Sequence, residues 1–466
     1  MRGLVAAALA IAAIGIAGLV TGDDDRTVQA VGGPMGAGGE YHALTPERIL
    51  DTRERPKDDE PSGRKTISAN ENGAVFNVPI VGTGGLPDFV DGDQNGEDDN
   101  VLAVAVNITV VTPTHEGWLR AWGKNATEGT SSVVNFKPGQ VVPNNAILRP
   151  GADGELSIRL VGTGAGSADV IIDVFGWWSS SNYEDNGARL IPVSPTRVYD
   201  SRQSQYRGST VKGGDTIKVP IRGVAGLVPD SSDVVGVMVN LTGVNIYGGS
   251  RATHFSILPT APTGSPTTSN LNLWPGDVRA NASIVPVQGK DIYIHNFDGE
   301  SDIIVDVVAY LIANQNESTR AGRVVPLVSP FRAFDTREQS HGKMPLGPGR
   351  AEDWSFEEFT ADVKIGSEPV GAQLGLLGNL TATGLTRQYD WGPAIATHLT
   401  AFPTPADPDD RVVPTVSNLN LGEGFNVPNL ALLNYGGGED PQVRFHNHDG
   451  SLHYLLDVSA VILDDD

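Results

Sequence analysis

The chain has 466 residues, with 56 Asp and Glu against 33 Lys and Arg, a formal charge of -23 at pH 7, and no cysteine. That charge argues against a nucleic-acid partner, because phosphate binding needs a basic face. The missing cysteines exclude disulfide staples, thiolate metal sites and a thiol nucleophile, so hydrophobic burial must hold the fold. Residues 1-30 carry Arg2 ahead of an apolar run from Leu4 to Val20, which Asp23 to Asp25 end, and a small-x-small step at Val28-Gln29-Ala30. This is the pattern of a secretory signal peptide; an uncleaved N-terminal anchor is the alternative, since ~17 to 18 apolar residues is the lower edge of a bilayer span. Either way the expected location is extracellular or at the cell surface, with membrane contact only through that segment. Residues 31-40 form a glycine-rich spacer, and behind them three units are predicted at 41-178, 189-313 and 323-463.

The units are defined by one pattern that occurs three times. Pro46-Glu47-Arg48-Ile49-Leu50-Asp51-Thr52-Arg53 returns as Pro195 to Arg202 and as Pro330 to Arg337, giving P-x-R-x-x-D-[ST]-R. Behind each copy come N-[IL]-T (Asn107, Asn240, Asn379), then S-x-x-N-[FL] (Ser132, Ser269, Ser417), then a further Asn (Asn144, Asn281, Asn429). Last is an Asp inside an apolar closing strand: Asp173, Asp306 and Asp457. A period of this length is a whole domain. Within each unit the apolar runs are short, rich in Val, Ile and Leu, and bounded by Gly, Pro, Asn and Asp. In the first unit strands are expected near 48-51, 75-81, 102-111, 118-122, 132-136, 146-149, 156-161 and 170-175. Eight strands favour an all-β protein of three tandem β-sandwiches of jelly-roll type, with β-trefoil repeats as the alternative.

The combined pattern resembles the repeat of roughly 140 residues found in secreted proteins of actinobacteria and related lineages. That repeat has P-x-R-[IL]-[LY]-D-T-R at the front and [IV]-[IV]-D-V-x-G-[YWF] at the back. The first unit matches best, ending Asp173-Val174-Phe175-Gly176-Trp177-Trp178; the second has Ala309 for the Gly, and the third ends Asp457-Val458-Ser459-Ala460-Val461 without the aromatic. The resemblance implies an extracellular or envelope-associated accessory module, and no catalytic activity.

An Asp in the middle of an apolar strand costs several kcal/mol unless it is paired. Arginine is its natural bidentate partner, so Arg48 or Arg53 is expected to reach Asp173, Arg197 or Arg202 to reach Asp306, and Arg332 or Arg337 to reach Asp457. With Asp51, Asp200, Asp335, Asn107, Asn240 and Asn379 these form a predicted structural network, the Asn and Thr side chains satisfying backbone groups at strand ends and sheet corners. The rival reading places the same groups around a ligand pocket in each unit. Asn107, Asn240 and Asn379 also begin glycosylation sequons, here read as a coincidence of strand chemistry.

Features found in one unit alone are the better functional candidates. Asp91, Asp93 and Asn95 before Gly96, with Glu97 and Asp99, open like a calcium loop, but Leu102 stands where a bidentate Glu would close it. Either a loose calcium-stabilised loop or a solvated acidic turn is expected; no other cofactor is. His446, His448 and His453 flank Asp449-Gly450, a two-residue hairpin signal that would put His446 opposite His453 for zinc or a pH-sensitive patch. Trp118, Trp122, Trp177 and Trp178 are candidates for docking the apolar face of a sugar. The chain has no G-x-S-x-G, H-E-x-x-H or phosphate loop. The sequence thus points to a non-catalytic structural or adhesive repeat protein whose partner is a cell-envelope polysaccharide or a surface protein. A lectin-like carbohydrate binder is the second reading, and an unrecognised hydrolase the third.

Overall fold

The structure is a computed structural model. It describes residues 27-28, 38-53, 67-69, 73-90, 100-162, 164-180, 183, 187-224, 226-245, 251-313, 319-338, 344-365, 368-387, 395-407, 410-436 and 440-465. The signal or anchor segment, apart from Thr27–Val28, and the whole Asp91 to Asp99 stretch lie outside these residues. None of the described helices is long and apolar enough to cross a membrane.

Each unit contains eight principal strands in two antiparallel sheets. In repeat 1 they are Tyr41–Asp51, Phe76–Pro79, Val101–Val111, Gly117–Gly123, Val134–Phe136, Val141–Leu148, Glu155–Gly162 and Gly166–Ser179. Taken in that order as first to eighth, one sheet runs 1-8-3-6 and the other 2-7-4-5. This is the strand order of the jelly roll. Repeats 2 and 3 reproduce it, from Ala188–Asp200 to Glu300–Ala313 and from Val324–Asp335 to Ser451–Leu463. The expected strand near 48-51 starts seven residues earlier, at Tyr41, because its polar first half lies along the closing strand Gly166–Ser179.

Every repeat has its own core between its two sheets, for example Val104, Val106, Ile108, Leu119, Ile158 and Ile172 in repeat 1. A fourth core joins all three units. Tyr41, Ile147 and Trp178 of repeat 1 meet Met238, Ile284 and Leu311 of repeat 2, and Leu377, Leu432 and Ile462 of repeat 3. The 1-8-3-6 sheets are therefore covered on both faces, which explains why all eleven residues of Val101–Val111 are buried rather than alternating. The sixth strands Val141–Leu148, Val278–Pro286 and Val427–Asn434 pack pairwise around a pseudo-threefold axis. The first strands close the ring at one end of it. Ala188 pairs with Tyr41, Leu190 donates to the Gly322 carbonyl, and Val324 bridges Gly39.

Gly176 shows why the first closing strand carries its glycine. The Tyr41 ring lies over its α-carbon, so an added Cβ would meet the phenol oxygen at 2.0 Å, and that hydroxyl donates to the Phe175 carbonyl. In repeats 2 and 3 the position of Tyr41 is taken by Leu190 or Val324, which carry no ring, and alanine stands where Gly176 does, at Ala309 and Ala460.

Candidate functional site: the junctions between repeats

The repeated polar residues line the faces along which the units dock. In repeat 1, Arg48 Nε donates to Asp173 Oδ1 at 2.9 Å and its Nη2 to Oδ2 at 3.4 Å. Arg197 holds Asp306 at 2.9 and 3.3 Å, and Arg332 holds Asp457 at 2.9 and 3.0 Å. Of the two arginines in each motif, the first therefore takes the strand Asp. The second forks onto the Asp two residues before it: Arg53 on Asp51, Arg202 on Asp200 and Arg337 on Asp335, with Nε to Oδ1 at 2.8 Å in each. The hydroxyl between them ties the closing strand down, Thr52 and Ser201 onto Asp169 and Asp302, while Thr336 meets His453 instead.

This ladder grades from water inward. Arg53, Arg202 and Arg337 are half exposed, whereas Asp173, Asp306 and Asp457 are buried. The charge balance follows the gradient. Asp51 is held below the usual carboxylate range chiefly by its Arg53 hydrogen bond. Burial would raise Asp200 and Asp335, but Arg202 and Arg337 bring both below it. Burial wins for Asp306 and Asp457, which are pushed up although Arg197 and Arg332 oppose it.

The landmark asparagines act across repeats. They satisfy backbone carbonyls, and the carbonyls belong to a different repeat. Asn107 Nδ2 donates to the Ser269 carbonyl at 2.9 Å, Asn240 to Ser417, and Asn379 to Ser132. Each repeat thus grips the S-x-x-N turn of the next, and the third grips the first. Asp306 and Asp457 also accept the backbone N–H groups of Ser417 and Ser132. A glycan on these buried asparagines would have to displace a neighbouring repeat, so the sequons are inert.

A second ring lies on the axis. Asn144 Oδ1 accepts Leu430 N at 3.2 Å, Asn429 Oδ1 accepts Ala282 N at 2.9 Å, and Asn281 Oδ1 accepts Asn145 N at 3.3 Å. Their amides donate back to Val133, Asn418 and Asn270 carbonyls of their own repeats. Further along the axis stand three charged residues that the sequence reading did not single out. Glu40, Arg189 and Arg323 occupy one equivalent position, each three residues ahead of Ala43, Pro192 or Pro326, which pair with Gly176, Ala309 and Ala460. All three are buried. Arg189 Nε donates to Glu40 Oε1 at 3.0 Å and Arg323 reaches the same oxygen at 3.5 Å, while Gly187 N donates to Oε2 at 3.0 Å. Three charges at a shared offset were the signal available in the sequence.

The unrepeated candidates fare differently. Trp122, Trp177 and Trp178 are buried, Trp177 stacked on His42 at 4.4 Å and Trp178 in the axial core against Tyr41. They pack rather than present a surface for sugar, because strand ends here are domain interfaces. Trp118 is partly exposed with Arg120 5.9 Å from its ring. His446 and His453 are not opposite one another. His446 pairs with Thr400 in one sheet and His453 with Thr383 in the other, because Asp449-Gly450 turns the chain between sheets instead of closing a two-strand hairpin. No metal-holding group of His, Asp and Glu exists among the described residues. Instead His448 stacks on His398 at 4.5 Å and 19°, as Phe297 stacks on His254 in repeat 2. Burial and the nearby His448, His446 and Arg197 push His398 down to about 4.

Beside His398 a cleft of about 270 Å³ opens between repeats 2 and 3, lined by Asp277, Arg279, His398, Asn420 and Phe425 among others. Arg279 Nε pairs with Asp277 at 3.2 Å, and Asp277 also accepts the backbone N–H of the exposed Trp274.

No family model matches the sequence, and no curated protein matches it. Among solved structures, the tandem CBM22-1-CBM22-2 domain of Paenibacillus barcinonensis Xyn10C is similar at 10% identity, over 62% of this chain and 100% of that one, with a TM-score of 0.16. An archaeal-virus protein described as a triple jelly roll is similar at 10% identity over 92% of this chain and 91% of its own, with a TM-score of 0.16. A Sulfolobus turreted icosahedral virus chain follows at 10% identity over 86% and 90%, with a TM-score of 0.15. Likenesses of this size carry no functional argument; the jelly-roll assignment rests on the strand order.

Proposed function

We propose that this is an exported, non-catalytic structural and adhesive protein of the cell surface, a rigid three-lobed block of the secreted repeat type its sequence resembles. The observation that supports this reading is the fate of the polar set common to all three units. Asn107, Asn240 and Asn379 reach from one repeat into the next, while Arg48–Asp173 and its equivalents are ion pairs inside each repeat, and neither set is arranged around a cavity. Selection for such a network favours rigidity and leaves the outward surfaces to meet partners, a cell-envelope polysaccharide or a surface protein. A carbohydrate-binding role is the second reading, favoured by the exposed rings of Trp274 and Phe297 in repeat 2. The deciding experiment is co-sedimentation of the purified protein with cell-wall and polysaccharide fractions, with and without calcium. Retention by envelope material is expected; failure to bind any fraction would sink the adhesive reading, and dependence on calcium would bring the Asp91 to Asp99 loop into it.

A further inference from the structure

The cleft between repeats 2 and 3 combines features the other junctions lack. At the position of Asp277 the other units have Gln140 and Phe425, and at that of Arg279 they have Val142 and Val427, as the pairing of Ala280, Pro143 and Pro428 with Thr242, Thr109 and Thr381 establishes. The ion pair in the cleft is thus peculiar to repeat 2, while the ring-bearing wall comes from repeat 3. We propose that this cleft binds a single residue of an uncharged polysaccharide. The proposal rests on the adhesive reading above and gives that reading a site.

Four observations support it. Flat rings frame the space: His398, stacked on His448, and Phe425, with Lys137 Nζ 4.3 Å from its ring. Such rings receive the C–H face of a sugar. Fixed polar groups converge beside them. The Asp277 carboxylate is oriented by Arg279 and by Trp274 N, and Asn420 is steadied by the Ser417 hydroxyl at 3.2 Å, so hydroxyls would meet donors and acceptors already in place. The volume, about 270 Å³, falls just below the ~300–1,000 Å³ of drug-sized pockets and suits one ring of a longer chain. The paired Asp277 and Arg279 leave no net charge of their own there, and a protein of net charge -23 repels polyanions.

The test titrates the purified full chain by affinity electrophoresis against soluble neutral glucan, galactan and mannan, with hyaluronate as the anionic probe. Phe425→Ala, Asp277→Asn and Asn420→Ala are run in parallel with thermal melts. The expected result is retardation by a neutral glycan, weakened about tenfold or more in each variant at unchanged melting temperature. Equal retardation of wild type and variants, preference for hyaluronate, or no retardation by any soluble glycan would overturn the cleft assignment. The wider reading fails separately: variants that still sediment with envelope fractions leave adhesion standing without this site, whereas a wild type that binds neither glycan nor envelope removes both.

Discussion

Two levels of the central axis solve the same problem in opposite ways. At the level of Asn144, Asn281 and Asn429, three identical side chains each accept a backbone N–H of a neighbouring repeat and donate to a carbonyl of their own, so one residue type serves all three positions. At the level of Glu40, Arg189 and Arg323 the residues cannot be identical, since three like charges buried together would repel without compensation. One acid between two arginines is available only because the three units are parts of one chain with separate sequences. A symmetric level therefore tolerates true repetition, while the charged level marks each repeat as first, second or third.

The largest effect should come from breaking the asymmetric level. Glu40→Ala leaves two buried guanidinium groups without their shared carboxylate and should cost about 3–5 kcal/mol, read as a lowered denaturation midpoint. A loss under about 1 kcal/mol would mean that the charged level contributes little. Next come the amides. Asn144→Ala, Asn281→Ala and Asn429→Ala each strand buried backbone partners and should each lose about 2–3 kcal/mol, by similar amounts in the three repeats. Widely unequal losses would show that the pseudo-symmetry is one of shape and not of energy.

A smaller contrast lies within each motif. Arg48→Ala uncovers buried Asp173 and should cost about 2 kcal/mol, whereas Arg53→Ala, at a half-exposed pair, should cost less than about 1 kcal/mol. Comparable values would contradict the assignment of the first arginine to the strand Asp.

The smallest effect is on pH dependence. His398 is neutral in the fold with its pKa lowered, so the unfolded chain takes up its proton first as pH falls. Stability conferred by this group is complete above the unfolded value of ~6.5 and is lost progressively as pH falls from there toward about 4. His446, His448, Arg197, Asp277 and Arg279 surround it and set the background. His398→Phe should flatten the stability curve over that window; an unchanged curve would assign the slope to its neighbours. Between pH 4 and lower values the depressed Asp51, Asp200 and Asp335 take over, their contribution being present above ~3.9 and lost as pH falls through their folded values.

The sequence by itself determined the all-β class, the three eight-stranded units and the need of each strand Asp for an arginine. These follow from local alternation, turn residues and the cost of an unpaired charge, all of which act within a strand or recur at a fixed offset. Only the tertiary structure decided that Arg48 rather than Arg53 takes Asp173, and that the backbone groups which Asn107, Asn240 and Asn379 satisfy lie in another repeat. It also buried Trp122, Trp177 and Trp178, and separated His446 from His453 by sending their turn from one sheet to the other. Those outcomes depend on which sheet face docks against which neighbour. The same residue pattern is compatible with either a solvated face or a packed one until three units close around an axis, and the closing contacts join residues more than a hundred positions apart.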